Sequence, residues 1–123
     1  MMKKIIFVTI FVFASFWVQA QSDIVGTWLN EDKSAKVEVV EVEDGVEGKL
    51  VWVKNEKAKD KLGTVIFKDL KAKGGKWKGE VFAIKRGEYY DTTYTVIEEG
   101  KKLELNVSVG LFSQSQVWTR VEE

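Results

Sequence analysis

From Lys36 onward the chain is a series of β-rich runs, each broken by a glycine turn signal. The clearest run lies near the end, where Leu103, Leu105, Val107 and Val109 alternate with Glu104, Asn106 and Ser108. A period of two puts the apolar set on one face of a strand and the polar set on the other. The same pattern marks Lys36–Glu43 (KVEVVEVE), Val46–Lys54 (VEGKLVWVK), Lys76–Lys85 (KWKGEVFAIK), Tyr89–Ile97 (YYDTTYTVI) and Gln116–Glu122, and more weakly Thr64–Leu70. Asp44-Gly45, Arg86-Gly87-Glu88 and Glu99-Gly100 turn one run into the next. The alternation slips at Val39-Val40, where a bulge is expected. Asn55–Leu62 (NEKAKDKL) reads as a charged loop or one or two helical turns.

Short strands in series with tight turns predict an all-β fold: a single antiparallel up-and-down β-barrel of about eight strands. Closure removes both sheet edges, which otherwise invite pairing with other chains. The chain has no Cys, so the apolar core must hold the barrel without disulfides.

A leader precedes the fold. Met1-Met2-Lys3-Lys4 is basic, and Ile5–Val18 is an apolar run of fourteen residues broken only by Thr9 and Ser15. Val18-Gln19-Ala20 offers small residues for cleavage after Ala20. A membrane-spanning helix needs about 20 apolar residues, which this run does not reach. The expected organisation is a signal peptide over residues 1–20 and one barrel domain over residues 21–123, periplasmic or secreted and not membrane-spanning once processed. No Cys follows the apolar run to take a lipid anchor. Without Lys3 and Lys4 the 19 basic residues fall to 17 against 19 acidic, a net charge of −2. That balance offers nothing to nucleic acid, and the mixed charges suit a solvated, monomeric surface.

Histidine is also absent. This excludes Ser-His-Asp and Cys-His chemistry and the standard zinc sites, and no cofactor is called for. Carboxylates could still form a hydrolytic pair, but Glu41, Glu43, Asp44 and Glu47 cluster at one hairpin tip without calcium-loop spacing. Asp91 points outward by parity, and Ser113–Gln116 reads as a polar turn or rim. A non-enzymatic protein is expected.

The remaining candidates are structural or ligand-facing. Gly26 and Trp28 near the chain start and Trp118 and Arg120 near its end meet if the first and last strands pair. The guanidinium can then lie over the indole and donate to backbone carbonyls. Parity places Val46, Leu50 and Trp52 on one face, and likewise Tyr90, Thr92, Tyr94 and Val96, and Trp77, Gly79, Val81 and Ala83. With these faces inward, Leu50, Trp52, Val81, Tyr90, Tyr94 and Leu105 are the candidate cavity lining, with tyrosine hydroxyls to orient a head group. The alternative is a barrel filled by those same side chains.

Gly26-x-Trp28 with an arginine in the last strand resembles the closure signature of the calycins, the lipocalin-like superfamily. The ordered set IVGTW, GKLVW (Gly48–Trp52), Leu62-Gly63, Trp77-x-Gly79, Gly87-x-x-Tyr90, Leu103-x-Leu105 and VGLFSQSQVWTRV (Val109–Val121) is more specific. It resembles the bacterial exported family of domain of unknown function 2147 over almost the whole mature chain. The resemblance implies a lipocalin-like barrel with no established activity. The chain departs from it in a compact lysine-rich loop after the third strand and in Ile84-Lys85-Arg86-Gly87, where relatives often carry Asp-Pro before the turn. The expected function is non-covalent binding of a small apolar or amphiphilic ligand. The alternative is a filled barrel that docks on an envelope protein or polysaccharide, using an outer patch at Val51 and Val53.

Overall fold

The computed structural model describes residues 23–122, so the expected leader lies outside the described residues. Eight strands follow in order: β1 (Gly26–Leu29), β2 (Ala35–Val42), β3 (Gly45–Val53), β4 (Val65–Lys73), β5 (Lys76–Ala83), β6 (Glu88–Ile97), β7 (Lys102–Val109) and β8 (Phe112–Arg120). Each pairs antiparallel with the next, and β1 pairs with β8 to close an up-and-down barrel. The β1–β2, β3–β4, β5–β6 and β7–β8 connections share one end. The ambiguous lysine-rich segment is a 3-10 helix, Glu56–Lys61, started by Asn55, whose side chain accepts from the Lys57 amide at 2.9 Å.

The inward faces of the strands are mostly apolar, with Thr92 on β6 and Gln114 and Gln116 on β8 as polar exceptions, and period two sets which residues share each face. Val37, Val39, Leu50, Phe67, Leu70, Tyr94, Leu103 and Leu105 are all essentially buried. Phe67 sits at the centre, edge-on to Tyr94 and to Trp118 with 5.0 Å between centroids in each pair. Gly48 on β3 makes the room: a Cβ there would stand 2.6 Å from Val37 Cγ1 and 2.9 Å from Phe67 Cδ2. Glycine is therefore needed for close approach rather than for a turn.

Register irregularities interrupt the ladders, and the one in β3 changes what parity predicted. The pairing of β2 with β3 runs unbroken through Val39 and Val40, so the expected bulge is not there. It lies instead opposite Lys36 and Val37, where Val37 pairs with Leu50 and Lys36 with Trp52, leaving Val51 as the extra residue. One extra residue inverts all side chains beyond it. Trp52 therefore faces outward, with the Lys36 ammonium 5.1 Å from its ring centroid, and Val53 turns inward. A second shift lies in β4, where Asp69 adopts φ 55° and lets Phe67 and Leu70, three apart, both face the core. β8 also begins earlier than expected, so Ser113–Gln116 are strand residues rather than a turn, and of the two expected readings the rim describes Gln114 and Gln116.

Candidate ligand cavity

The barrel is fastened at one end and open at the other. At the fastened end Arg120 lies over Trp28, 4.3 Å from guanidinium carbon to ring centroid. Its Nε donates to the Gly100 carbonyl at 2.6 Å, Nη1 to Val25 at 2.8 Å and Nη2 to Asp23 at 2.5 Å. Trp28, fully buried, donates its indole N–H to the Ile24 carbonyl at 2.9 Å. Gly26 stands at φ 139°, and any Cβ there would collide with Arg120 Nη1. One planar fork thus ties the segment entering β1 to the β6–β7 turn and covers an indole, a task suited to arginine geometry. Its donors all face backbone carbonyls, so the pair is built as a latch.

Towards the other end a cavity of about 640 Å³ opens between the connections. Its wall is apolar: Ala35, Val37, Leu50, Val53, Ile66, Val81, Phe82, Ala83, Val107, Val109 and Trp118, with the Tyr90 ring. Its mouth is polar and charged: Asn30, Glu31, Asp32 and Ser34 from the β1–β2 loop, Lys85 and Arg86 from the β5–β6 turn, and Gln114 and Gln116 from β8. The Asn30 carbonyl oxygen Oδ1 accepts from the Ser34 and Ala35 amides at 2.7 and 3.1 Å, which holds that loop at the rim. A cavity of this size and chemistry suits one small amphiphile, with its apolar part inside and its polar part at the rim.

Residues 26–120 match the model of a family described as an uncharacterized protein conserved in bacteria, the domain of unknown function 2147. The chain belongs to this family. No curated protein and no solved structure matches the chain. The span matched to the family contains the whole cavity lining and both latch side chains.

Within this family member, the residues expected to line a cavity divide into three groups. Leu50, Val81 and Tyr90 do line it. Tyr94 and Leu105 are fully buried in the filled half of the barrel and do not reach the cavity wall. Trp52 lies outside, because the Val51 bulge inverts the end of β3. Neither inward tyrosine offers a free hydroxyl donor. Tyr94 donates to the Glu80 carbonyl at 2.7 Å, and Tyr90 to the Glu88 carboxylate at 2.9 Å. Burial, with the Glu80 carboxylate nearby, holds the Tyr94 hydroxyl well above the ordinary tyrosine range. The residues missed were those of the mouth. Arg86 reads as an ordinary turn residue and Asn30 carries no signal of its own, and only the pairing of the strands puts them at one opening. Trp118, placed with the latch because it neighbours Arg120, instead forms part of the cavity wall and bonds to Gln116 Oε1 at 3.1 Å. Among the described residues no cluster of three carboxylates converges as metal ligands would.

Proposed function

We propose that this barrel binds a small apolar or amphiphilic molecule non-covalently, as an exported, non-enzymatic carrier or sensor in the periplasm or outside the cell. The observation that carries the reading is the half-filled interior. Phe67, Tyr94, Leu103 and Leu105 close one half, while the other half keeps about 640 Å³ behind an apolar wall. The mouth carries both signs, Lys85 and Arg86 on the β5–β6 turn facing Glu31 and Asp32 on the β1–β2 loop, which favours a polar or charged head group over an apolar one. Analogy with lipocalin-like barrels points the same way, but the cavity is the stronger support.

The test is to purify the protein from its native envelope and examine it by native mass spectrometry. A copurified small molecule, or stabilisation by members of a lipid panel, is the expected result. Bare protein with no thermal shift from any amphiphile would refute the reading. The second reading, an envelope protein or polysaccharide module, draws on the exposed outer pair Val51 and Trp52, 45% and 38% accessible. Loss of partner capture on Trp52→Ala, with ligand binding absent in the parent protein, would favour it.

A further inference from the structure

The barrel is closed along only part of its seam. β1 has four residues and β8 has nine, and only Trp28–Arg120 and Leu29–Thr119 pair between them. Above Thr119 the seam side of β8 lacks a strand partner among the described residues. Alternation identifies the groups left over. The Val121 amide faces the seam and donates to the Thr27 carbonyl at 2.8 Å, whereas the Arg120 amide faces β7 and donates to Lys101. The Val117 amide also faces the seam, where the Glu31 carboxylate accepts from it at 2.9 Å. Continuing by twos, the amides and carbonyls of Ser115 and Ser113 face the seam with no backbone partner among the described residues, and both residues are exposed.

Beyond Val117 this edge carries none of the usual protection. Exposed strand edges are normally blunted by charges, proline or a covering loop. From Leu105 to Thr119 there is no charged residue and no proline, in a chain that is 31% charged. At the tip of the same hairpin Leu111 is fully exposed and Phe112 is 78% accessible. The β1–β2 loop, through Glu31, covers the edge only as far as Val117.

We propose that the free edge of β8 pairs antiparallel with the same edge of a second copy of this chain. The spacing is self-complementary. A two-fold axis at Gln114 sets Ser113 of each copy opposite Ser115 of the other, and those are the two β8 residues whose seam-facing amide and carbonyl are both free among the described residues. Both pairs then exchange N–H···O=C bonds, so the amides and carbonyls of Ser113 and Ser115 in both copies find partners. In that register Phe112 comes opposite Gln116 of the second copy on the same sheet face, which covers part of its exposed ring. An uncharged edge meets its own image without like-charge repulsion, whereas most of the other exposed strand surfaces carry lysine and glutamate. The short contact makes a concentration-dependent dimer rather than an obligate one.

Sedimentation velocity of the purified protein over a range of concentrations is the first measurement, and a species of twice the monomer mass should grow with concentration. Ser115→Pro removes one edge amide that has no partner within the barrel, so it should abolish the dimer while leaving the thermal melt close to the parent's. Gln114→Lys sets two like charges face to face at the axis and should likewise yield monomer. Mixing Gln114→Lys with Gln114→Glu should restore an equimolar heterodimer that neither forms alone. Amide exchange at Ser113 and Ser115 in the unmodified protein gives a readout independent of any variant's folding, and it should slow as concentration rises. A protein that stays monomeric at every concentration, or a dimer indifferent to both Ser115→Pro and Gln114→Lys, overturns the proposal.

Discussion

Arg120 lies across the face of Trp28, from the opposite end of the chain, 4.3 Å from guanidinium carbon to ring centroid. The contact joins the first strand to the last, and two further observations show how tightly it is specified. The ring is fully buried, and all three classes of guanidinium nitrogen reach backbone carbonyls.

Trp28→Ala should therefore lower stability by about 3–5 kcal/mol, the usual cost of emptying a buried aromatic site. For a domain of this size that corresponds to a fall in melting temperature of well over ~10 °C. Arg120→Lys keeps the charge but not the fork, and should cost about 1–3 kcal/mol. Calorimetry on both variants checks the pair, and an unchanged melt for either removes the latch from the account.

Gly48→Ala adds only one methyl group, yet that methyl meets Val37 and Phe67 inside van der Waals distance. Neither neighbour is at the far end of a flexible chain. A loss of about 1–3 kcal/mol is expected from the overpacking, read as a lower urea midpoint at unchanged slope.

Tyr94 supplies a pH dependence. Its hydroxyl is held well above the ordinary tyrosine value of about 10 by burial and by Glu80. Above that pH the unfolded chain releases a proton that the folded protein keeps, so stability falls as pH rises. The contribution is complete below pH ~10 and is lost progressively above it. Tyr94→Phe should remove that part of the alkaline slope, up to about 1.4 kcal/mol per pH unit, while lowering neutral stability by about 1–2 kcal/mol for the lost bond to the Glu80 carbonyl. Urea titrations of parent and variant between neutral and alkaline pH separate the two effects.

Ala83→Trp should fill the cavity from a half-buried wall position and abolish any amphiphile-induced thermal shift. Trp52→Ala, on the outer face, should leave that shift unchanged. If both variants bind alike, the ligand does not sit in this cavity.

Lys85→Glu combined with Arg86→Glu reverses the charge at the mouth without touching the apolar wall. Affinity for anionic amphiphiles should fall at least tenfold, about 1.4 kcal/mol, with neutral analogues little affected. Titrating matched anionic and neutral ligands tests this, and equal losses for both would assign the two side chains no role in head-group choice.

Strand number, order and closure were legible because alternation and turn residues are local signals, and because Trp28 and Arg120 mark the two edges that must meet. The positions past a bulge were not. Parity carried from Leu50 to Trp52 assumes an unbroken ladder, and nothing in the residues of Leu50-Val51-Trp52 announces the extra one. Val39-Val40 looked like the break because two valines adjoin, yet Val40 simply faces solvent. The cavity mouth was illegible for a different reason. Asn30, Lys85, Arg86 and Gln114 are far apart in the chain, and their meeting follows from barrel geometry that single residues do not encode.

The seam also sets an order of events. Every other pairing in the barrel joins consecutive strands, so each can form as a local hairpin with a short loop to close. The last one joins groups as distant as Arg120 and Val25, 95 positions apart. It bears the largest loop-closure entropy, offset by two strand pairs and the contacts of Arg120. A chain in which Arg120 has not yet docked is thus a curled but open ribbon. The ring of strands closes only when Arg120 reaches the segment entering β1, which makes β8, rather than the middle strands, the point of commitment.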